Sequence, residues 1–482
     1  MVKRRNFEKR ELMYKHIFDP TILRSYDIRG IFEKTLNQND AFMLGYFFGI
    51  TVKNNNPSIN SPLIIIGMDG RLSSPILELN LNDGLKKSGC EVYRIGMGPT
   101  PMLYFASHHF KADGAIHVTG SHNPKNYNGF KIVMNQKSFF GEDIQKLGQF
   151  AKTGIDETHN GNSQKVNIND AYIEKVIEPI TNIAHGLENK TIVWDCGNGA
   201  AGPSIDIITK KLPGNHIVLF SDVDGNFPNH HPDPTDASTL KFLSSKMKEV
   251  KADLGIGFDG DGDRLGVVDK QGRPIAGDLL TAFLSKSLNI KNEKNKTVIL
   301  DIKSSHIAFN KILENGFNAE IWKTGHSQIK KRMKEINAPL AGEMSGHIFF
   351  ADDYYGYDDA LYASIRLLKL LANGYKLEEF ISSLPLTFAS PEIKVNCSDK
   401  IKFDLIARIS KQALKDYLPN DVITLDGIRA QNKYGWWLIR ASNTEAAIVV
   451  RFEGSSQKNK DLLLLEVEKR LKDEGLTWEL NK

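Results

Sequence analysis

At 482 residues, 41% hydrophobic and 25% charged, the chain has the composition of a soluble globular protein, not of a disordered, collagenous or coiled-coil one. At roughly 150 residues per domain it holds about three domains, with room for a fourth. Its 62 Lys and Arg against 58 Asp and Glu leave a net charge of +4, too small a surplus to call for nucleic acid or an anionic membrane as partner.

The first residues, MVKRRNFEKRELMYK, are charged and lack an apolar core, so they read as a solvated tail or short helix and not as a signal peptide. Glu8 and Glu11 among the basic residues speak against a transit peptide. The most apolar stretch, 41–52, is too short to span a bilayer. An apolar run then closes on Asp69 (PLIIIGMD), followed by a loop, a helix-like stretch (ILELNLNDGLKKSG) and a second run at 90–95. The pattern recurs at 190–195 (KTIVWD), with SIDIITKKL and 216–220, and again at 296–301 (KTVILD), with HIAFNKILENG and 319–322. Short apolar runs alternating with helical patterns indicate βαβ units, and three copies indicate three related α/β domains. From about Ser390 the pattern changes to VITLDGIRAQ, WWLIRASNT and AAIVVRFEG, then a charged helix at 461–472, which reads as a smaller α+β domain. The expected domains are 1–168, 169–275, 276–387 and 388–482, with polar loops at 54–62 and 158–164. Cys90, Cys196 and Cys397 are far apart and form no CxxC, so neither a disulfide framework nor a cysteine zinc site is expected, and a reducing compartment fits best.

Several segments carry chemistry. Gly197-x-Gly199-x-x-Gly202 follows an apolar run, with Pro203 placed to start a helix and Asp222 twenty residues on. It reads equally as a dinucleotide-binding turn or as a glycine turn that lets helix and strand pack. Gly255-x-Gly257-x-x-Gly260 opens no helix and fails the dinucleotide test. It runs instead into Asp259-Gly-Asp261-Gly-Asp263-Arg264, where alternating glycines let three carboxylates converge on a cation. Arg264 and Lys270 stand where an EF-hand needs Gly and Glu, so Mg²⁺ shared with a phosphate oxygen is the better reading, in a hairpin expected at the surface. In VTGSHNPKNYNGFK, Ser121 at an exposed strand end is either a nucleophile or phosphoryl carrier, or an ordinary turn serine. Glu343, Ser345 and His347 of GEMSGH, with the comparable KTGH loop ending at His326, are candidates to face a polyhydroxylated ligand. Arg440-Ala-Ser442-Asn443-Thr444-Glu445 concentrates donors suited to an anion. There is no P-loop and no GxSxG elbow.

Together, from Ser25-Tyr-Asp-Ile-Arg-Gly30 to Arg451, these motifs resemble the α-D-phosphohexomutase superfamily, most nearly its bacterial phosphomannomutase/phosphoglucomutase branch. Four motifs in the right order across nearly the whole chain make the resemblance specific. It implies three related α/β domains with mixed sheets and a C-terminal α+β domain of the TATA-binding-protein-like type, around a central cleft. It implies interconversion of hexose 1-phosphate and hexose 6-phosphate, of mannose or glucose or both, through a phosphoserine enzyme and a bisphosphate. By resemblance Ser121, in the first domain, is the phosphoserine. Asp259, Asp261 and Asp263 of the second hold Mg²⁺, with an oxygen of phospho-Ser121 as a further ligand, and Arg264 follows in that loop. Glu343, Ser345 and His347 form the sugar loop of the third domain. Arg440, Ser442, Asn443 and Thr444 of the fourth bind the phosphate that is not transferred. Tyr26, Arg29, His122, Lys131, Lys303 and His326 match other active-site positions. Lys131, Arg29 or His347 would manage the hydroxyl proton. The implied activator is a hexose 1,6-bisphosphate, and the implied partners are small hexose phosphates, with no nucleic acid and no membrane. A cytoplasmic monomer or weak homo-oligomer is expected. Met344 in GEMSGH separates this branch from phosphoglucosamine mutases, which tend to show GEQSGH, and phosphoglucosamine mutase is the alternative. An NAD-dependent dehydrogenase built on 197–202 and a non-catalytic sugar-phosphate-binding protein rank lower.

Overall fold

Each of the three run–helix–run patterns forms a parallel β–α–β unit. The computed structural model describes residues 14–157, 159–181, 186–289, 295–443 and 446–476, so most of the charged N-terminal stretch and Thr444 lie outside the described residues. The chain divides into two compact units. One comprises Met1–Tyr172 with the short segments Asn198–Ala200 and Val223–Pro228, and the other comprises the remainder.

The first unit is built on β1 (Ile28–Ile31), β2 (Leu63–Met68), β3 (Glu91–Met97), β4 (Gly114–Val118), β5 (Tyr127–Met134), β6 (Lys137–Ser138) and β7 (Asn162–Lys165). Their order is β1-β5-β4-β2-β3-β7, with β6 beside β5. Pairing is parallel from β4 to β7 and antiparallel at β1, β5 and β6. Helices α1 (Gln38–Asn55), α2 (Ser74–Lys87), α3 (Thr100–His109) and α4 (Glu142–Thr153) belong to the same unit. The apolar stretch 41–52 lies within α1, which starts in a capping box between Asn37 and Asp40. A Cβ on Gly84 would overlap the Phe42 carbonyl and one on Gly45 the Leu81 carbonyl, so these glycines let α1 and α2 touch backbone to backbone. Phe47, Phe48, Leu81 and Leu85 are then fully buried, at about 2 kcal/mol each. The polar segment at 158–164 differs from expectation, because its end enters β7. An edge strand is held by backbone pairing to β3 and needs no apolar side chains. At 54–62, α1 runs on to Asn55 before the loop begins.

Helix α5 (Asn169–Ile177) leads to the second sheet, formed by β8 (Thr191–Asp195), β9 (Asn215–Leu219), β10 (Leu254–Phe258), β11 (Leu265–Asp269) and β12 (Pro274–Ile275), with α6 (Gly202–Lys211) and α7 (Lys241–Val250). Its order is β12-β11-β10-β8-β9, parallel through β10-β8-β9. Helix α6 opens at Gly202 with Pro203 in its first turn. A Cβ on Gly202 would overlap the Ser221 carbonyl, so this glycine turn serves close packing. The third sheet has β13 (Thr297–Asp301), β14 (Asn318–Trp322), β15 (Leu340–Gly342) and β16 (Ile348–Phe350) in the order β14-β13-β15-β16. It is parallel except at β16 and is accompanied by α8 (Gly277–Leu284), α9 (His306–Glu314), α10 (His326–Ile336), α11 (Ala360–Ala372) and α12 (Leu377–Ser382).

The fourth sheet is antiparallel throughout: β17 (Phe388–Ala389), β18 (Ile393–Asn396), β19 (Val422–Ile423), β20 (Ile428–Asn432), β21 (Gly435–Ala441) and β22 (Ala447–Gly454). It packs α13 (Lys402–Asp416), which the sequence reading did not mark, and α14 (Gln457–Asp473). It is seated on the loop after β13. The Arg429 guanidinium lies 3.7 Å from the Trp436 ring centroid and donates to the carbonyls of Ile302 and Ser304, both at 2.6 Å. Burial and the neighbouring Arg451 push Arg429 down to about 9. Among the described residues no helix is long and apolar enough to cross a membrane.

Candidate active site

In the first unit the loop between β4 and β5 carries Ser121, whose φ of 49° is the left-handed conformation that a non-glycine residue adopts only when its surroundings impose it. The constraint comes from below. Arg71, 1% exposed, donates to the carbonyls of Ser121 and Asn123 at 2.6 Å, of Pro124 at 2.7 Å and of Tyr127 at 3.0 Å. Asp69 pairs with Arg71 at 3.2 Å and accepts from Thr119 Oγ1 at 2.9 Å and Gly120 N at 3.0 Å. A Cβ on Gly120 would overlap the Arg71 guanidinium, so a glycine must precede the serine. Ser121 is only 3% exposed, unlike the exposed serine expected, because the loop folds back over this guanidinium; its Oγ lies 3.2 Å from His122 Nδ1. Arg29 reaches the loop from β1, donating to the Gly120 carbonyl and, at 2.7 Å, to Asn123 Oδ1, and it pairs with Asp27. Lys131 is buried on β5 opposite His117 of β4, and Tyr26 is half-buried in the bend before β1.

The second unit gathers the other candidates. Asp259, Asp261 and Asp263, between β10 and β11, are fully buried, and their carboxylates lie within 4.8 Å of one another. The expected surface hairpin is therefore a buried loop. The β15–β16 turn and the start of α11 cover it: Leu265 N donates to the Gly346 carbonyl at 2.9 Å, and Ala360 N, first in α11, to the Gly262 carbonyl at 3.3 Å. Gly346, at φ 87°, permits the approach, since a Cβ there would lie 2.7 Å from the Leu265 carbonyl. Asp259 accepts from the N–H groups of Asp263 and Arg264, both at 3.1 Å.

The same turn holds the sugar-loop candidates. Arg264 Nε donates to His347 Nε2 at 3.0 Å, which fixes the imidazole proton on Nδ1, facing Asp358 at 3.0 Å. Asp358 also pairs with Lys330 at 2.8 Å and His326 at 3.6 Å, and the two imidazoles stack with centroids 5.6 Å apart. Glu343 accepts from Gly325 N at 2.6 Å, while Ser345 stays half-exposed. Lys303 pairs with Glu392 at 3.0 Å and lies 3.8 Å from Asp301. Arg440 does not present an open fork: its Nε and Nη2 lie 3.1 and 3.2 Å from the Asp426 oxygens. Ser442 is buried, and its carbonyl accepts from Lys402 at 2.5 Å; Asn443 is half-exposed.

Comparison with known proteins accounts for nearly all of the chain. Four successive family models match: phosphoglucomutase/phosphomannomutase alpha/beta/alpha domain I over 20–156, domain II over 170–272, domain III over 276–388, and the C-terminal domain over 392–470. The chain belongs to the phosphoglucomutase/phosphomannomutase family. It is 41% identical to a phosphomannomutase/phosphoglucomutase of Pseudomonas syringae pv. tomato over 442 residues, covering 92% of this chain and 93% of that one. It is 38% identical to a phosphoglucomutase of Neisseria gonorrhoeae over 440 residues, 90% and 93% of the two chains. The crystal structure of a family protein from Burkholderia thailandensis superposes with a TM-score of 0.87 at 36% identity, covering 97% of this chain and all of that one.

The electrostatics of this family member set the candidate cation site apart from the candidate sugar loop. Three buried carboxylates at close range repel one another, and an all-oxygen donor set suits a hard divalent ion, so Asp259, Asp261 and Asp263 fit a resident metal. Asp263, His347 and Asp358 also cluster, but the His347 and Asp358 atoms face each other. Burial, with Asp301 nearby, raises Glu343, and His347 offsets this in part. Asp358 is held well below the usual carboxylate range: burial opposes its charge, but Lys330, His326 and His347 outweigh it. Burial opposes the charge on Lys303 too, yet Glu392 and Asp301 hold it above an ordinary lysine, and Lys303 brings Glu392 down to about 2. The sequence reading missed Arg71, Asp69, Asp301, Asp358, Glu392 and Asp426. Asp69 and Asp301 had a signal, since each closes one of the repeated apolar runs. Asp358, Glu392 and Asp426 meet their partners only through the fold and leave none.

Proposed function

We propose that the protein interconverts hexose 1-phosphate and hexose 6-phosphate, with mannose or glucose as the sugar, and that Ser121 carries the phosphoryl group. The reading assigns the carrier loop to domain 1–168, the metal loop to 169–275, the sugar loop to 276–387 and the phosphate loop to 388–482. The observation that carries it is the buried trio Asp259, Asp261 and Asp263, which needs a cation to be stable. These three carboxylates would hold Mg²⁺, whose charge when bound favours phosphoryl transfer.

The chain's own groups do the rest. Glu343, Ser345, His347 and Lys303 orient the sugar, and Arg440 with the 442–444 segment holds the phosphate that stays in place. Phospho-Ser121 gives its phosphoryl group to the free hydroxyl, whose proton is managed by Lys131, Arg29 or His347, with Arg29, always charged, able only to steady the charge and not to take the proton. The hexose 1,6-bisphosphate turns over and returns its other phosphate to Ser121. In this reading His347 takes the proton at Nε2 only after Arg264 Nε–H releases that nitrogen. Coupled assays with glucose 1-phosphate and mannose 1-phosphate, in Mg²⁺ and after chelation, test the proposal. Turnover that depends on Mg²⁺ and on a bisphosphate activator supports it. Turnover of glucosamine phosphate alone, or none, overturns it.

A further inference from the structure

We infer that Asp301 is a positioning residue for all three substrate loops of the third sheet, an inference that rests on the mutase reading above. Strand β13 lies between β14 and β15, and all three run parallel, so their C-terminal ends open on one edge. The last side chain of the central strand can then reach the loops on both sides. Asp301 is that residue, and it is fully buried. Its Oδ1 accepts from Ser304 Oγ at 2.7 Å and from Met344 N at 3.2 Å. Its Oδ2 accepts from Thr324 Oγ1 at 3.2 Å and lies 3.8 Å from Lys303 Nζ. Lys303 is in the loop after β13. Thr324 stands two residues before His326 after β14, and Met344 stands between Glu343 and Ser345 after β15. One carboxylate therefore ties the three loops that carry the candidate sugar-binding residues of this sheet to a common point.

The same device recurs in the other repeats. In the first unit β2 lies between β3 and β4, and Asp69 directly follows it. Asp69 takes Arg71 N at 3.0 Å and Ser74 Oγ at 2.6 Å from its own loop, and Thr119 Oγ1 and Gly120 N from the loop of Ser121. In the second sheet β8 lies between β9 and β10, and its last residue, Asp195, takes Gly197 N at 2.9 Å and the His230 ring at 3.0 Å. Three repeats thus place a buried carboxylate at the same topological point, and in two of them it holds loops that carry candidate site residues.

The test uses the full chain with Asp301→Ala, Asp301→Asn and Thr324→Val. It reads KM and kcat for glucose 1-phosphate, phosphoserine content and the thermal midpoint. Asp301→Ala should raise KM by about tenfold or more, the effect of losing a charge-assisted anchor. Asparagine keeps an acceptor for Met344 N and offers a donor to the Thr324 hydroxyl, so it should bring KM back to within about threefold of wild type. Thr324→Val removes one strut and should raise KM about threefold at an unchanged midpoint. Phosphoserine content should stay at the wild-type level in all three. A residue that only stabilised the fold would lower the midpoint and the amount of active enzyme at a wild-type KM, and that result overturns the inference. If Asp301→Ala does not fold, a wild-type KM in Thr324→Val overturns it alone. A wild-type protein without turnover overturns the mutase reading, and this inference with it.

Discussion

Replacing Arg71 by methionine keeps an unbranched stem, shorter than arginine by the guanidinium end, and removes every donor. Four carbonyls of the Ser121 loop then lose their partner, and Asp69 loses its counter-ion. Breaking a buried ion pair from one side costs about 3–5 kcal/mol. Holding a non-glycine residue such as Ser121 at φ 49° costs about 1–3 kcal/mol, which the loop would recover on relaxing. The two effects act in the same direction, so the serine should leave its native position for most of the time. A net preference of about 3 kcal/mol for the relaxed loop leaves the competent loop populated roughly one part in a hundred. Incorporation of labelled phosphate from glucose 1,6-bisphosphate should therefore slow by about a hundredfold in Arg71→Met. Arg71→Lys, with three donors on one nitrogen in place of a planar fork, should fall between. Phosphorylation of Arg71→Met within about threefold of wild type would refute the idea that this guanidinium sets the serine loop.

The buried acidic loop makes a sharper prediction than a surface hairpin would. In metal-free buffer Asp261→Asn should raise the thermal midpoint by about 2–4 °C, by relieving repulsion, and Mg²⁺ should no longer raise it as it does in wild type. Arg440→Ala should raise KM for glucose 1-phosphate by roughly ten- to a hundredfold, with phosphoserine still formed; steady-state kinetics check this, and a near-normal KM would place the distal phosphate elsewhere. Burial, then Arg429, pushes His306 down to about 4, so the folded protein refuses a proton that the unfolded chain takes near 6.5. The stability present above pH 6.5 is lost as pH falls towards 4, in total roughly 3 kcal/mol. Denaturant titrations across that range should show a flatter loss in His306→Gln.

The repeat was legible because its leading strands, β2, β8 and β13, are buried on both faces and read as continuous apolar runs. Helix α13 was not, because Phe403 and Leu414 point to solvent and blur the apolar face that Leu405, Ile409 and Ala413 present to the core. The candidate serine, acidic, sugar and phosphate loops announced themselves through local composition. Their surroundings did not. Nothing near Asp259 in sequence says that the β15–β16 turn will bury it. Nothing near Arg440 says that Asp426 will take its fork, although only fourteen residues separate them. Asp69, Asp195 and Asp301 are the instructive case. Each was visible as the end of an apolar run, but the use of that position depends on strand order, which a single sequence does not display.

The central claim is that Ser121 carries the phosphoryl group, and the mass of the intact protein tests it most directly. Wild-type protein treated with glucose 1,6-bisphosphate and Mg²⁺ should gain one phosphoryl group, mapped to the peptide containing Ser121, and should lose it to glucose 1-phosphate with formation of the bisphosphate. Ser121→Ala should gain none and should have no mutase turnover. A Ser121→Ala protein that turns over at the wild-type rate, or a phosphoryl group that maps to another residue, would contradict the account.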